Sequence, residues 1–102
     1  MKHSIDFSGK TVVVMGGTSG INFGIADAFA AKRARVAVAS RSQNKIDVAV
    51  EKLLGYGGEA IGFSADVRDV DAVKAALVGA YEAFGAIDVL VSGAAVRVSV
   101  PE

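Results

Sequence analysis

The chain has 102 residues, with 11 basic and 11 acidic side chains, one histidine and no cysteine. That length suits one domain, and 52% hydrophobic against 22% charged residues excludes a disordered chain. Balanced charge argues against nucleic acid as the main partner, the lack of cysteine excludes a disulfide framework and thiolate metal ligands, and a lone histidine leaves little room for a zinc site.

At the amino terminus, Asp6 and Lys10 interrupt any apolar leader segment before it can form. The weakly polar stretch from Ala75 to Val96 contains Glu82 and Asp88, which is not the pattern of a spanning helix. The expected location is therefore the cytoplasm, without membrane attachment.

Apolar runs then alternate with helical periods. Thr11-Val12-Val13-Val14-Met15 is a β-branched run that stops at Gly16-Gly17. Ile21, Ile25 and Phe29 follow at helical spacing, and Lys32-Arg33-Ala34-Arg35 is expected as a basic helix end. Val36–Ala39 predicts a second strand, ending at Ser40-Arg41-Ser42. Ile46, Val50 and Leu53 predict a second helix with Ser42 as its N-cap and Gly55 as a left-handed stop. Ala60–Ser64 predicts the third strand. Val70, Val73, Leu77, Tyr81 and Phe84 form a long apolar stripe, capped by Asp69 and stopped by Gly85. Ile87–Val91 predicts the fourth strand.

Strands apolar on both faces are buried parallel strands. The order β-α-β-α-β-α-β therefore predicts an α/β, Rossmann-type parallel sheet in the order 3-2-1-4, with right-handed crossovers. This is one mononucleotide-binding half of a doubly wound fold plus one strand, forming a single domain over residues 1–102. The tail from Val96 to Val100 alternates with period two and reads either as a strand extension or as a frayed end.

The segment from Val14 to Gly24 joins the first strand to the first helix. Glycines there let backbone N–H groups approach an anion, and the helix start supplies unpaired donors and a positive dipole end. A tight connection without a ligand is the alternative. Gly16 and Gly20, four apart, resemble the T-G-x-x-x-G-x-G turn of the short-chain dehydrogenases/reductases. Met15 stands where that family has Thr, and Asn22 where it has the third Gly, with Gly24 two residues on. The Asn-x-Gly also looks a little like the divergent enoyl-carrier-protein reductases of the same superfamily. The resemblance implies a nicotinamide dinucleotide as ligand, held at this turn by Gly16, Thr18, Ser19, Gly20, Ile21 and Asn22.

An NAD-selective fold places Asp or Glu at the end of the second strand, on the ribose 2′-hydroxyl. Here the residues are Ser40, Arg41 and Ser42. Arg41 suits a 2′-phosphate, with the two serines as neutral donors and Lys45 adding charge, which favours NADP(H) over NAD(H). An exposed loop arginine is the alternative. Asp66-Val67 stands where the family's Asp accepts a bond from the adenine amino group and the next residue touches the ring; a helix-capping Asp is the other reading. Ser92-Gly93-Ala94-Ala95 stands at the family's N-N-A-G motif, keeping its Ala. There Gly93 and Ala94 would lie against the adenosine ribose. The resemblance covers residues 7–95, and Ala39-Ser40-Arg41-Ser42, Asp66-Val67-Arg68 and Ser92-Gly93-Ala94-Ala95 together look most like the 2,4-dienoyl-CoA reductase branch.

The family's chemistry needs a Ser and a Tyr-x-x-x-Lys. Tyr56 and Tyr81 are followed four residues on by Ala60 and Gly85, and Tyr81 is expected in the core. The chain is thus expected to be the NADP(H)-binding N-terminal portion of an oxidoreductase, inactive by itself, as a truncated product, a fragment or the product of a frame-disrupted gene. The alternative is a non-catalytic nucleotide-binding or interaction module. With three helices over four strands, one sheet face is expected to be only partly shielded and the fourth strand's edge unpaired, with the Val96–Val100 tail able to pair there in its own chain or a neighbour's. A homo-oligomer, most simply a dimer, follows.

Overall fold

The computed structural model describes residues 6–92 and the backbone of residues 95–98. In chain order the elements are β1 (Thr11–Met15), α1 (Gly20–Ala31), β2 (Arg35–Ser40), α2 (Gln43–Leu54), β3 (Ala60–Ser64), α3 (Val70–Phe84), β4 (Val89–Ser92) and β5 (Ala95–Val98). One sheet runs β3-β2-β1-β4-β5. Its first four strands are parallel in the expected order, and β5 adds an antiparallel edge with Ser92 opposite Ala95. The tail therefore pairs with its own chain's β4, and the β4 edge is not bare. The rest of the expected tail strand, Ser99 and Val100, lies outside the described residues.

The two-residue period of the strands sorts their side chains into two cores. Val12, Val14, Val36, Val38, Val89 and Val91 face one way and pack with Ala26 and Ala30 of α1 and Leu53 of α2. Val13, Met15, Ala37 and Ala39 face the other way and pack with Ala76, Ala80 and Phe84 of α3. The Val-Ala-Val-Ala alternation of β2 thus gives bulky residues to the two-helix side and small ones to α3. Alanines on both sides of that second interface let helix and sheet come close. At Gly79 a Cβ would stand 2.6 Å from the Phe63 ring.

Three sequence expectations need correction. Ile21 is 84% exposed, and Val70 and Tyr81 are 65% and 58% exposed. The buried line on α3 is instead Ala76, Ala80 and Phe84, because a helix seated this close to a sheet turns its small residues inward. The fourth strand begins at Val89 and not Ile87. Asp88 ahead of it pairs with Thr11, its N–H donating to the Thr11 carbonyl at 2.9 Å while its carboxylate accepts from the Thr11 N–H at 2.8 Å. Arg35 belongs to β2, not to a helix end, and donates to the Gly9 carbonyl with its guanidinium over the Phe84 ring.

Helix ends follow the expected caps with one exception. Ser42 accepts from the Lys45 N–H, and Asp69 accepts from the Asp71 and Ala72 N–H groups. Gly85 is left-handed at φ 83°, whereas Gly55 stays right-handed at φ −60° and the left-handed turn comes at Gly57. Among the described residues, no helix is long and apolar enough to cross a membrane.

Gly62 of β3 sits under α2, where a Cβ would collide with the Ile46 side chain and stand 3.1 Å from Val50. Gly→Ala gains about 0.4–1 kcal/mol through the unfolded state, while overpacking costs about 1–3 kcal/mol. Gly62→Ala is therefore expected to lower the urea midpoint. Adding Ile46→Ala should cost less than the sum of the two single changes; strict additivity would show that the two sites do not share this space.

Candidate functional site

The site lies at the carboxyl ends of β1, β2 and β3, which backbone hydrogen bonds draw together. The Gly16 and Gly17 N–H groups donate to the Ala39 carbonyl at 2.7 and 3.3 Å, and the Ala65 N–H donates to the Ser40 carbonyl at 2.8 Å. The first pair folds the turn after β1 onto the end of β2. The last bond does the same for the exit of β3.

Two positions in the first turn require glycine. Gly16 and Gly20 have φ of 69° and 62°, where L side chains are strained. Around a Cβ at Gly20 there is open space, and around one at Gly16 only the Asn22 amide nitrogen, 3.6 Å away. The loop thus leaves a shallow backbone cradle. Ser19 is the N-cap of α1 in extended conformation but its side chain makes no capping bond, and the first turn carries no acidic residue. The N–H groups that open α1 have no intrahelical acceptor, so they remain available to an anion. Asn22 donates from its side-chain nitrogen to the Met15 carbonyl at 3.2 Å. Its amide ties the end of β1 to the first turn of α1, a brace that a third glycine would lack. Ile21, expected on the core stripe, projects outward at the head of that helix.

A cleft of about 360 Å³ is lined by Gly16, Ser40, Arg41, Ala65, Asp66, Val67 and Arg68. It gathers one residue of the glycine turn, two from the end of β2 and the segment that leaves β3. Thr18, Ser19 and Lys45 line a second hollow of about 300 Å³ with Asn44 and Val48. Lys45 therefore stands beside the hydroxyls of the glycine turn and does not line the cleft that holds Arg41. Ser42 donates its N–H to Ser40 Oγ at 3.3 Å and caps α2. Gly93 and Ala94 lie outside the described residues.

Asp66 is not a helix cap; Asp69 fills that role for α3. Its carboxylate is held by Arg68, which the sequence reading gave no role in the site. Oδ1 accepts from the Arg68 backbone N–H at 2.9 Å and from Nε at 3.1 Å, and Oδ2 accepts from Nη2 at 2.9 Å. Arg41 Nη1 stands 4.0 Å from Oδ2. The Asp-x-Arg spacing is the signal that was available: an Asp side chain turning back to the backbone two residues on brings the next residue's side chain beside it.

The Arg68 hydrogen bonds, with a smaller Coulombic contribution from both arginines, hold the Asp66 carboxyl down at about 2 against an ordinary 3.8. A carboxyl lowered on folding stabilises the native state above its unfolded value, and the contribution fades as pH falls toward its folded value. Carboxyl-carbon NMR of the folded chain is expected to show Asp66 titrating near 2. Arg68→Ala should move that titration upward, and an unmoved titration would mean that Arg68 does not hold the carboxylate.

A family model described as short chain dehydrogenase matches residues 10–102. D-threitol dehydrogenase of Mycolicibacterium smegmatis is 38% identical over 97 residues, covering 91% of this chain and 37% of that protein. The peroxisomal 2,4-dienoyl-CoA reductase of Arabidopsis thaliana is 34% identical over 87 residues, covering 85% of this chain and 29% of that one. L-sorbose reductase from Gluconobacter frateurii, solved in complex with NADPH and L-sorbose, superposes with a TM-score of 0.84 at 29% identity, covering 91% of this chain and 36% of its own. The chain thus spans between 29% and 37% of the length of these relatives. Since a sugar-alcohol dehydrogenase matches as well as the dienoyl-CoA reductase does, the similarity singles out no branch. It does extend over the glycine turn, the ends of β2 and β3 and the whole sheet that carries them, and by that measure the chain belongs to the short chain dehydrogenase family.

Proposed function

We propose that this chain is the cofactor-binding portion of a short-chain oxidoreductase and that it prefers NADP(H). The observation that carries the preference is Arg41. It leaves the end of β2 with its side chain 68% exposed, and it lines the cleft where β2 contributes no carboxylate of its own. A fork of N–H donors suits a phosphate dianion; an acid at that place would suit a 2′-hydroxyl.

The residues present fit the dinucleotide. The cradle at Gly16 and Gly20 and the open N–H groups at Gly20, Ile21 and Asn22 would hold the pyrophosphate, with the Thr18 and Ser19 hydroxyls and the Lys45 ammonium beside them. Ser40, Arg41 and Ser42 would take the 2′-phosphate. Asp66 and Val67 would meet the adenine, and Gly93 and Ala94 the ribose. Bound cofactor supplies the hydride donor or acceptor; the residues of this chain bind and orient it.

Proton transfer to a substrate is not assigned to either tyrosine. Tyr56 lies at the amino end of β3, away from the cleft, and donates its hydroxyl to the Asp27 carboxylate at 2.9–3.0 Å. That bond raises its pKa, the wrong direction for a base. Tyr81 is an exposed residue of α3, and no lysine follows either tyrosine at four residues. The chain by itself is accordingly expected to show no NADPH oxidation above background with carbonyl or enoyl substrates.

In calorimetric titration the chain is expected to bind NADPH more tightly than NADH by about tenfold or more, the worth of a charge-assisted contact. Arg41→Asp should abolish the difference while NADH binding persists. Equal loss of both would show that Arg41 supports the fold and not the phosphate.

Self-association is the remaining part of the proposal. With β5 on the β4 edge, it rests on exposed Val70, Val78 and Tyr81 of α3. Sedimentation at micromolar concentration is expected to show a dimer, and a monomer at every concentration would reject it.

A further inference from the structure

Arg68 shares the cleft with Arg41, and one carboxylate lies between them. We propose that Arg68 is a positioning residue for cofactor selectivity: by chelating Asp66 it keeps Arg41 free to meet the 2′-phosphate. The inference rests on the NADP(H) reading and adds to it a residue that does not itself touch the phosphate.

An ionised carboxylate offers about four lone-pair sites. Arg68 takes three of them, two through its guanidinium fork and one through its own backbone N–H. The fourth, on Oδ2, faces Arg41 only at 4.0 Å, the outer limit of an ion pair. Both arginine side chains are largely exposed, at 68% for Arg41 and 74% for Arg68. The pair therefore adds little to stability. Its consequence is the distribution of charge. Two guanidiniums around one carboxylate leave the cluster at +1, with the uncommitted cation on the β2 side, next to Ser40.

Removing Arg68 alters that arrangement. Asp66 would then keep only the backbone N–H of residue 68 on Oδ1, leaving Oδ2, 4.0 Å from Arg41 Nη1, without a partner. Without cofactor, a bidentate charge-assisted pair is the strong bond open to both groups. Arg41 would close onto Asp66, the cluster would become neutral, and an incoming phosphate would have to break the pair against a facing negative charge. The Arg68 clamp forestalls this at small entropic cost. Arg68 lies two residues from Asp66, and its N–H already bonds the carboxylate.

The test measures the ratio of NADPH to NADH affinity in the wild-type chain, Arg68→Ala, Arg68→Ala/Asp66→Asn and Arg41→Ala. Using the ratio removes any effect common to both cofactors, including loss of an adenine contact at Asp66. Arg68→Ala is expected to lower the ratio by up to about fivefold, the range of an exposed ion pair. Adding Asp66→Asn should restore it, because the trap for Arg41 is gone. An unchanged ratio in Arg68→Ala, while Arg41→Ala lowers it, overturns the positioning role and leaves the NADP(H) reading intact. A ratio that stays low in the double variant also overturns it, since Arg68 would then touch the phosphate directly. An unchanged ratio in Arg41→Ala overturns the NADP(H) reading itself. A measurement without cofactor checks the same step. If Arg41 closes on Asp66, the Asp66 carboxyl in Arg68→Ala must titrate lower than in Arg68→Ala/Arg41→Ala. Equal values overturn the proposal.

Discussion

Two short backbone connections hold the working end of this molecule in place. The carbonyl of Ala39 accepts from Gly16 and Gly17, and the carbonyl of Ser40 accepts from Ala65. Parallel strands end with their carbonyls pointing into whatever follows them, and here the following turns supply the donors. Three chain segments far apart in sequence are thereby fixed around one cleft. Glycine is needed at Gly16 because the turn must reverse at positive φ while its N–H reaches Ala39.

The central strands β1 and β2 are a rigid base because they are buried on both faces. Ile61, Phe63 and Leu90 on the α3 side are only partly covered, as expected of a face with one helix. The side chains are graded to the helices they meet. Valines of β1, β2 and β4 fill the space under α1 and α2. Alanines of β2 and α3 close the opposite gap. Where two elements come closest, a glycine removes the Cβ that would collide, at Gly62 beneath Ile46 and at Gly79 beside Phe63. Such packing leaves little slack, so the strand ends, and the cleft they frame, are held by the interior of the whole domain.

Within the cleft, electrostatics turns on the competition of two arginines for one carboxylate. Geometry decides it: the local Asp66–Arg68 pair closes with two guanidinium bonds, and the Arg41 contact stays long. The resulting positive charge faces the end of β2, the side on which a cofactor's ribose is distinguished in folds of this kind. Glycine turn, helix start and cleft thus present donors and positive charge at the carboxyl ends of the strands, the arrangement on which the NADP(H) proposal rests.

Much of this was legible in the residues alone. The apolar runs specified four parallel strands because burial on both faces leaves no polar alternation. Ser42 and Asp69 marked helix starts because their side chains bond the N–H groups just ahead of them. Gly16 and Gly20 marked the turn because the chain there is short and must reverse. What the sequence left open depends on contacts between distant segments. Ile21, Val70 and Tyr81 fit an apolar period yet face outward, since periodicity ranks hydrophobicity and cannot show that alanines let a helix approach more closely. The Val96–Val100 alternation read more readily as a loose end than as a strand, because short termini are poorly ordered unless docked; β4 offered an edge to Ala95–Val98. Lys45 and Arg41 are four residues apart but border different hollows, because the first turn of α2 rotates one away from the other. The hold of Arg68 on Asp66 was written in a three-residue spacing. Its meaning for Arg41 came only with β2 and β3 side by side, since register between strands, not sequence distance, sets which charges meet.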